Sequence, residues 1–432
     1  MTTSRRPPAP SAPSAPSALP AGAVPGAGPQ WAVDSPAAGT GLTARPCGDA
    51  LRPAEPPATD HPVALALSGG GFRATLAALG FVRLLADTGL LPRLRYSSSV
   101  SGGSIANGCL ATAWPALRRE NFTADAVDEL VVAPVVDRVS SRSLKRALVG
   151  GLWRTLGPST RTDLLARCLD EWFLGETELE RLDPEVRWIV NAANQTTGAR
   201  FTFERDVYGD YTIGLAPTAG TRLRLSRAVS ASAAVPGAFP PVVLDQDPFP
   251  CATHPPALLD GGTYDNTGLE AIDSDRYRHT FLCVLNAGGL LRPGVYGRVP
   301  VVRDLARANS LLYRQSTTLR TRAVVERFER ARAAGPDGEL PRGARRGVLV
   351  QLSTDFPADG PDALRRWHAA FPEDPAFDGR HLALVPTVFD RLDPGLCRAL
   401  VHRGWWLGGA ALAAYHPQLL PDDLTALRPP RR

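Results

Sequence analysis

The apolar run Val63–Leu67 leads without a polar break into Ser68-Gly69-Gly70-Gly71-Phe72-Arg73, and a helical spacing of Leu76, Leu79, Val82 and Leu85 follows as far as Gly89. A short apolar run, a glycine turn and a 3.6-residue period predict strand, turn and helix. The pattern repeats from Leu94, with a strand to Val100, the turn Ser101-Gly102-Gly103-Ser104, and a helix from Ile105 to about Trp114. Two strands joined by a helix in this way predict a right-handed βαβ unit with parallel strands. Further strands are expected at 187–191, 200–204, 257–259, 281–285 and 348–352, mostly separated by helical patterns. The stretch 301–334 reads as helix throughout, with Leu305, Leu311, Leu312, Leu319, Val324, Val325 and Phe328 among arginines, and 335–346 reads as loop. The expected architecture is a three-layer α/β/α fold with a mainly parallel central sheet and C-terminal helices. Trp405–Tyr415 is about half the length that a membrane-spanning helix needs, and reads as a buried helix.

Composition narrows this picture. The chain has 432 residues, 44% hydrophobic and 21% charged, which excludes fibrous and wholly disordered classes. Residues 1–60 hold 13 of the 41 prolines, in Ala-Pro-Ser units between Ala9 and Ser17, and read as a disordered tail that cannot repay the entropy of ordering. The expected organisation is that tail, one domain over 61–416 and a C-terminal tail over 417–432. No apolar run of signal-peptide length follows Arg5-Arg6, so an export signal is not expected. The cysteines at 47, 109, 168, 251, 283 and 397 include no C-x-x-C pair, which fits neither a zinc site nor a disulfide framework. A reducing, cytoplasmic compartment is the simpler reading. Lys145 is the only lysine, a bias that reflects base composition rather than function.

The net charge of +5 is unevenly placed. Residues 138–161 carry six basic residues (Arg138, Arg142, Lys145, Arg146, Arg154 and Arg161) and no acid, interleaved with apolar positions. Residues 298–332 hold nine arginines against Asp304, Glu326 and Glu329. The first stretch reads equally as a solvated helix face and as an amphipathic cationic helix, broken near Gly150-Gly151, that approaches an anionic membrane surface as a lid or interfacial segment. Nucleic acid is not an expected partner, because no reading motif or aromatic platform accompanies the arginines.

Three short motifs carry the chemistry. At Gly69-Gly70-Gly71-Phe72-Arg73, side-chain-free residues where a strand enters a helix aim N–H groups at an anion. That suits either a dinucleotide pyrophosphate or the oxyanion of acyl transfer, and the acidic residue that a dinucleotide site expects after the second strand is missing. Ser99-Val100-Ser101-Gly102-Gly103 approximates the nucleophile elbow G-x-S-x-G, with Ser99 in place of the first glycine. A second frame, Gly102-Gly103-Ser104-Ile105-Ala106, would make Ser104 the nucleophile but puts it inside the helix, and both serines can equally be helix caps. Asp260-Gly261-Gly262, after Leu258-Leu259, is either an ordinary turn aspartate or an acid delivered to a serine on a neighbouring strand.

In this order, with Ser226–Pro241 before the aspartate, the motifs resemble the patatin-like phospholipase family. The resemblance is clear over about 63–290 and looser to about 416, through Val385-Pro386-Thr387 and Leu400–Ala414. It implies a patatin-type fold and a lipid acyl hydrolase of phospholipase A, lysophospholipase or carboxylesterase type, using a Ser101–Asp260 dyad and an acyl-serine intermediate. Gly69, Gly70, Gly71 and Gly102 would form the oxyanion hole, with Phe72, Arg73, Gly103, Gly261 and Gly262 in support. Arg73 would fix the loop or attract an anionic head group. A lipid ester is then the expected partner, and neither metal nor organic cofactor is required. A conventional triad would need a histidine, for which His279 is the best placed. Two rival readings stand beside this one: a catalytically silent lipid-surface or partner-binding protein on the same fold, and a nucleotide-binding α/β protein.

Overall fold

The computed structural model describes residues 47, 51–150, 159–245, 249–290, 300–335, 338–373 and 378–430. Most of the expected N-terminal tail, and residues 151–158 of the first basic stretch, lie outside them. The strands are β1 Val63–Leu67, β2 Leu94–Val100, β3 Arg187–Asn194, β4 Ala199–Phe203, β5 Val207–Asp210, β6 Gly214–Pro217, β7 Val242–Val243, β8 Ala257–Asp260, β9 Phe281–Asn286 and β10 Gly347–Gln351. The helices of the first half are α1 Gly71–Asp87, α2 Gly102–Arg119, α3 Ala124–Val127, α4 Ala133–Ser141, α5 Leu144–Gly150 and α6 Arg161–Leu169. Those of the second half are α7 Leu225–Ser232, α8 Gly262–Asp265, α9 Pro300–Ala333, α10 Asp362–Ala370, α11 Gly379–Ala383 and α12 Pro394–Tyr415.

The strands form one mixed sheet in the order β10-β9-β1-β2-β3-β4-β5-β6, with β8 also on β3 and β7 on β8. Pairing is parallel from β10 to β3 and antiparallel beyond, including β8 on β3. The parallel half is the expected βαβ core. The antiparallel half is larger than a mainly parallel sheet implies, and its β5, β6 and β7 were not expected. Their sequences, VYGD, GLAP and VV, lack the length or alternation that marks a strand.

Strand alternation divides the core between the two sheet faces. Val63, Leu65 and Leu67 of β1 point into the larger core with α1, α2 and α12. Ala64 and Ala66 point the other way, toward Leu269, Ile272, and Val324 and Phe328 of α9. Helices α1 and α12 are buried along nearly their whole length and meet backbone to backbone. A Cβ at Gly80 would lie 1.8 Å from the Val401 carbonyl oxygen, and one at Gly404 would lie 1.9 Å from that of Ala77. The expected buried C-terminal helix is therefore the cover of the helix that follows the glycine loop.

Both chain ends depart from the tails expected for them. The end of the N-terminal segment docks on the sheet, where the Tyr96 hydroxyl donates to Glu55 at 2.9 Å and Arg95 Nε to the Pro57 carbonyl at 3.1 Å. Beyond 416, Leu427 is buried and the Arg428 carbonyl accepts from Arg83. Cys47 and Cys251 form a disulfide across 204 residues, where the cysteine spacing suggested no disulfide framework. Cysteine spacing along a chain does not report which loops the fold brings together.

Candidate active site

The three motifs converge because β1 and β2 are parallel neighbours, with Leu67 opposite Ser99, so that their C-terminal ends open side by side. The glycine loop leaves β1, and Ser101 leaves β2 as the N-cap of α2. Ser101 has φ 51° and ψ −118°, a conformation that a side-chain-bearing residue holds at a cost of about 1–3 kcal/mol. The sharp turn lifts its hydroxyl out of the sheet into a cavity of about 810 Å³. Gly102 permits this turn, since a Cβ there would lie 2.1 Å from the Gly71 carbonyl oxygen.

Asp260 arrives from the opposite direction. Strand β8 runs antiparallel on β3, with Asp260 opposite Ala192, and its main chain is held by N–H donation from Asp260 to Ala234 O and from Gly261 to Ser232 O. The Asp260 carboxylate accepts from the Ser101 hydroxyl and, at 2.7 Å, from the Gly262 N–H. Burial raises its pKa to about 6, with those two hydrogen bonds opposing the rise. A carboxyl so poised is ionised at neutral pH yet basic enough to take a serine proton.

The serines around the elbow form a satisfied buried network. Ser232 Oγ accepts the Ser101 N–H at 2.8 Å and donates to Asn191 O at 2.6 Å. Ser99 Oγ donates to Ile189 O at 3.1 Å and accepts from Asn107 Nδ2 at 2.9 Å. Ser99 therefore replaces the elbow glycine without crowding Ser101. Ser104 is fully buried, with its hydroxyl between Ser99 and Ser232 at 3.1 and 3.0 Å, and it does not line the cavity.

The four expected oxyanion donors separate. Gly69 donates its N–H to Asn266 O at 3.0 Å, so it braces the loop and is removed from the donor set. The N–H groups of Gly70, Gly71 and Gly102 have no partner among the described residues, as befits donors at the starts of α1 and α2. Phe72 N–H donates to Val388 O, and Arg73 donates to Ala287 O at 3.0 Å, to Thr387 Oγ1 at 3.2 Å and to Val385 O. Arg73 thus ties the loop to the segment 385–388. Burial lowers its pKa to about 10, opposed by Tyr313, and it remains a cation beside the cavity.

Sequence reasoning gave no role to three further residues, two of which line the cavity while the third braces the glycine loop. Tyr313 of α9 lines the cavity, and burial followed by the charge of Asp260 pushes its phenol pKa up. Asn266 Nδ2 is buried at the wall without a hydrogen-bond partner among the described residues. Val388 reaches the glycine loop through the main chain alone. The Asp-Asn pair after Asp260-Gly261-Gly262 was a visible signal for Asn266; the other two gave none. His279 is exposed, bonded to Arg276 O, and no histidine lines the cavity among the described residues. The stretch 138–161 is not one helix, for α4 ends at Ser141, α5 follows and α6 begins at Arg161. None of its described residues lines the cavity, and Arg142 and Arg146 border a separate pocket with Trp172 and Arg391.

Residues 65–273, which contain the glycine loop, the elbow and the aspartate, match the model of the patatin-like phospholipase family. The fold is similar to that of human GIVD cytosolic phospholipase A2, at 14% identity and a TM-score of 0.51, covering 83% of this chain and 60% of that one. The chain thus spans 60% of the length of that solved structure. VipD from Legionella pneumophila is similar at 15% identity over 76% of this chain and 66% of its own, with a TM-score of 0.30. No curated protein sequence matches the chain.

Proposed function

We propose that the protein is a serine-dependent lipid acyl hydrolase cleaving carboxylic esters through Ser101 and Asp260. The observation that carries this reading is the Ser101 hydroxyl donating to a buried carboxylate in a cavity lined by Gly70, whose N–H has no partner among the described residues. Asp260 takes the hydroxyl proton as Oγ attacks the ester carbonyl. The negative charge that develops on the carbonyl oxygen is met by Gly70, Gly71 and Gly102, whose N–H groups need no reorganisation. Asp260 returns the proton to the departing alcohol, leaving an acyl-serine. Water then gives a proton to Asp260 as it attacks the acyl carbon, and collapse of the intermediate breaks the bond to Ser101 Oγ, which takes that proton back from Asp260 as the fatty acid leaves. Phe72 and Arg73 hold the loop, Gly103, Gly261 and Gly262 allow the close approaches, and no metal or organic cofactor takes part. The substrate is a phospholipid, lysophospholipid or other lipid ester, met at an anionic membrane surface.

Labelling with a fluorophosphonate and mapping the adduct by peptide mass spectrometry tests the assignment. An adduct on Ser101 is expected and should vanish in Ser101→Ala. An adduct on Ser104, or none on folded protein, would overturn it.

A further inference from the structure

The elongated helix α9 presents two different faces to its surroundings. One turns Tyr313, Arg314, Thr317, Thr321 and Arg322 toward the cavity. Beside that face Leu311, Leu312 and Leu319 stand 51%, 71% and 55% exposed, and none of them lines the cavity. Positions 312 and 319 lie two turns apart and share one side of the helix, with 311 adjacent, so the leucines form a group. Scattered exposed apolar residues need no explanation, whereas a group at the mouth of a cavity marks a contact surface. The rim continues on other elements through Val235, before β7, and Val388, both more than a third exposed.

Charge on α9 follows the same division. Arg320 is paired with Glu270 at 2.6 Å, and Arg327 with Asp273 and Asp275 at 3.0 Å each. Arg314 and Arg322, at the mouth, have no carboxylate partner among the described residues, and both are exposed. Exposed leucines interleaved with unpaired guanidinium groups are the composition of a helix lying on a lipid interface, with apolar side chains in the acyl boundary and cations at anionic head groups. Nucleic acid would meet the arginines but leave the leucines in water. No described helix is long and apolar enough to cross a membrane, so contact through α9 is with the surface.

We propose that α9 docks the protein on an anionic lipid surface through Leu311, Leu312 and Leu319 with Arg314 and Arg322, setting the cavity mouth against the lipid. The docking face is thus in the second basic stretch rather than in 138–161. This rests on reading the cavity as a lipid-ester site, and supplies the route by which a lipid reaches Ser101 without crossing water.

Co-sedimentation with phosphatidylcholine vesicles, with and without phosphatidylglycerol, tests it alongside hydrolysis of a soluble short-chain ester. Leu311→Ser/Leu312→Ser/Leu319→Ser is expected to lower partitioning at least about tenfold while leaving soluble-ester hydrolysis unchanged. Arg314→Gln/Arg322→Gln should weaken binding only to the anionic vesicles, and the difference should fade with salt. Arg142→Gln/Arg146→Gln should bind like wild type. Equal sedimentation of the triple-serine variant, or loss in the Arg142/Arg146 variant instead, would overturn the proposal. Wild type that sediments through the leucines but hydrolyses no ester refutes the hydrolase reading alone. Wild type that hydrolyses the ester but ignores vesicles refutes the docking alone.

Discussion

Asp260→Asn should stabilise the protein at neutral pH while removing its activity. The Asp260 pKa rises from 3.8 to about 6 on folding, chiefly through burial. Each unit is worth about 1.4 kcal/mol, so the ionised carboxylate costs about 3 kcal/mol of stability once the pH is well above 6. Because the folded pKa lies above the unfolded one, the cost is absent below about pH 3, where both states are protonated, and is complete above about pH 7. Asparagine keeps the shape and loses the charge. Its oxygen can still accept from Gly262 N–H, and the Ser101 hydroxyl can turn to accept from the amide, with about 1 kcal/mol lost in the exchange. The remaining gain of about 2 kcal/mol corresponds to about 2–3 °C in a chain of this size, at about 2 cal/mol/K of unfolding entropy per residue. Calorimetric melts should show the variant more stable at pH 8, with about a third of that advantage at pH 5. Its kcat/KM on a soluble ester should fall by about 10²–10⁴. Wild-type kcat/KM should decline with unit slope below about pH 6. A variant less stable than wild type at pH 8, a gain independent of pH, or activity within tenfold of wild type would refute the reasoning.

Ser232→Ala should cost about 1–3 kcal/mol in urea denaturation, because the Ser101 N–H and the Ser104 hydroxyl lose a buried partner; a change under about 0.5 kcal/mol would show that the network does not hold the elbow. His279→Ala should retain wild-type kcat/KM, since the ring lies at the surface on Arg276 O, and a loss comparable to that of Asp260→Asn would point to a triad. Thiol titration in denaturant without reductant should find Cys109, Cys168, Cys283 and Cys397 free and Cys47 joined to Cys251, whereas six reactive thiols would refute the pairing. Cys251→Ser should then lower stability by about 2–4 kcal/mol.

The parts of the fold that were legible are those whose local pattern agrees with their tertiary role. Strand β1 is buried on both faces and reads as an unbroken apolar run, and α9 carries a sustained helical pattern. Strands β5 and β6 owe their existence to partners instead. Gly209 and Gly214 would each discourage a strand taken alone, yet with Gly209 opposite Leu215 and Gly214 opposite Asp210 the strands pack so closely that a Cβ at Gly209 would lie 2.3 Å from the Gly214 carbonyl oxygen. Strand β2 shows a further difficulty. Ser97, Ser98 and Ser99 are fully buried and interrupt its apolar character, and only the folded chain shows where their hydroxyls go, to Asn107, Gly268 and Ile189.

The candidate site divides by the same logic. Ser101 and Asp260 were legible because each has a local reason, small residues around a strand end, that survives translation into geometry. Gly69, Gly70 and Gly71 were not separable, because glycine in a sequence records backbone freedom and not which N–H is already taken; Asn266, nearly 200 residues away in the chain, takes that of Gly69. The anchor of Arg73 was equally out of reach, since Val385 lies 312 residues downstream. Charge misled for a related reason. Two stretches of similar sign looked alike in sequence, and the denser one, 138–161, drew attention. What separates them is the cavity mouth, where α9 leaves Arg314 and Arg322 without a carboxylate partner among the described residues beside three exposed leucines, while Arg320 and Arg327 pair with acids of the body. A basic run acquires functional meaning only when the fold shows which of its charges are already neutralised.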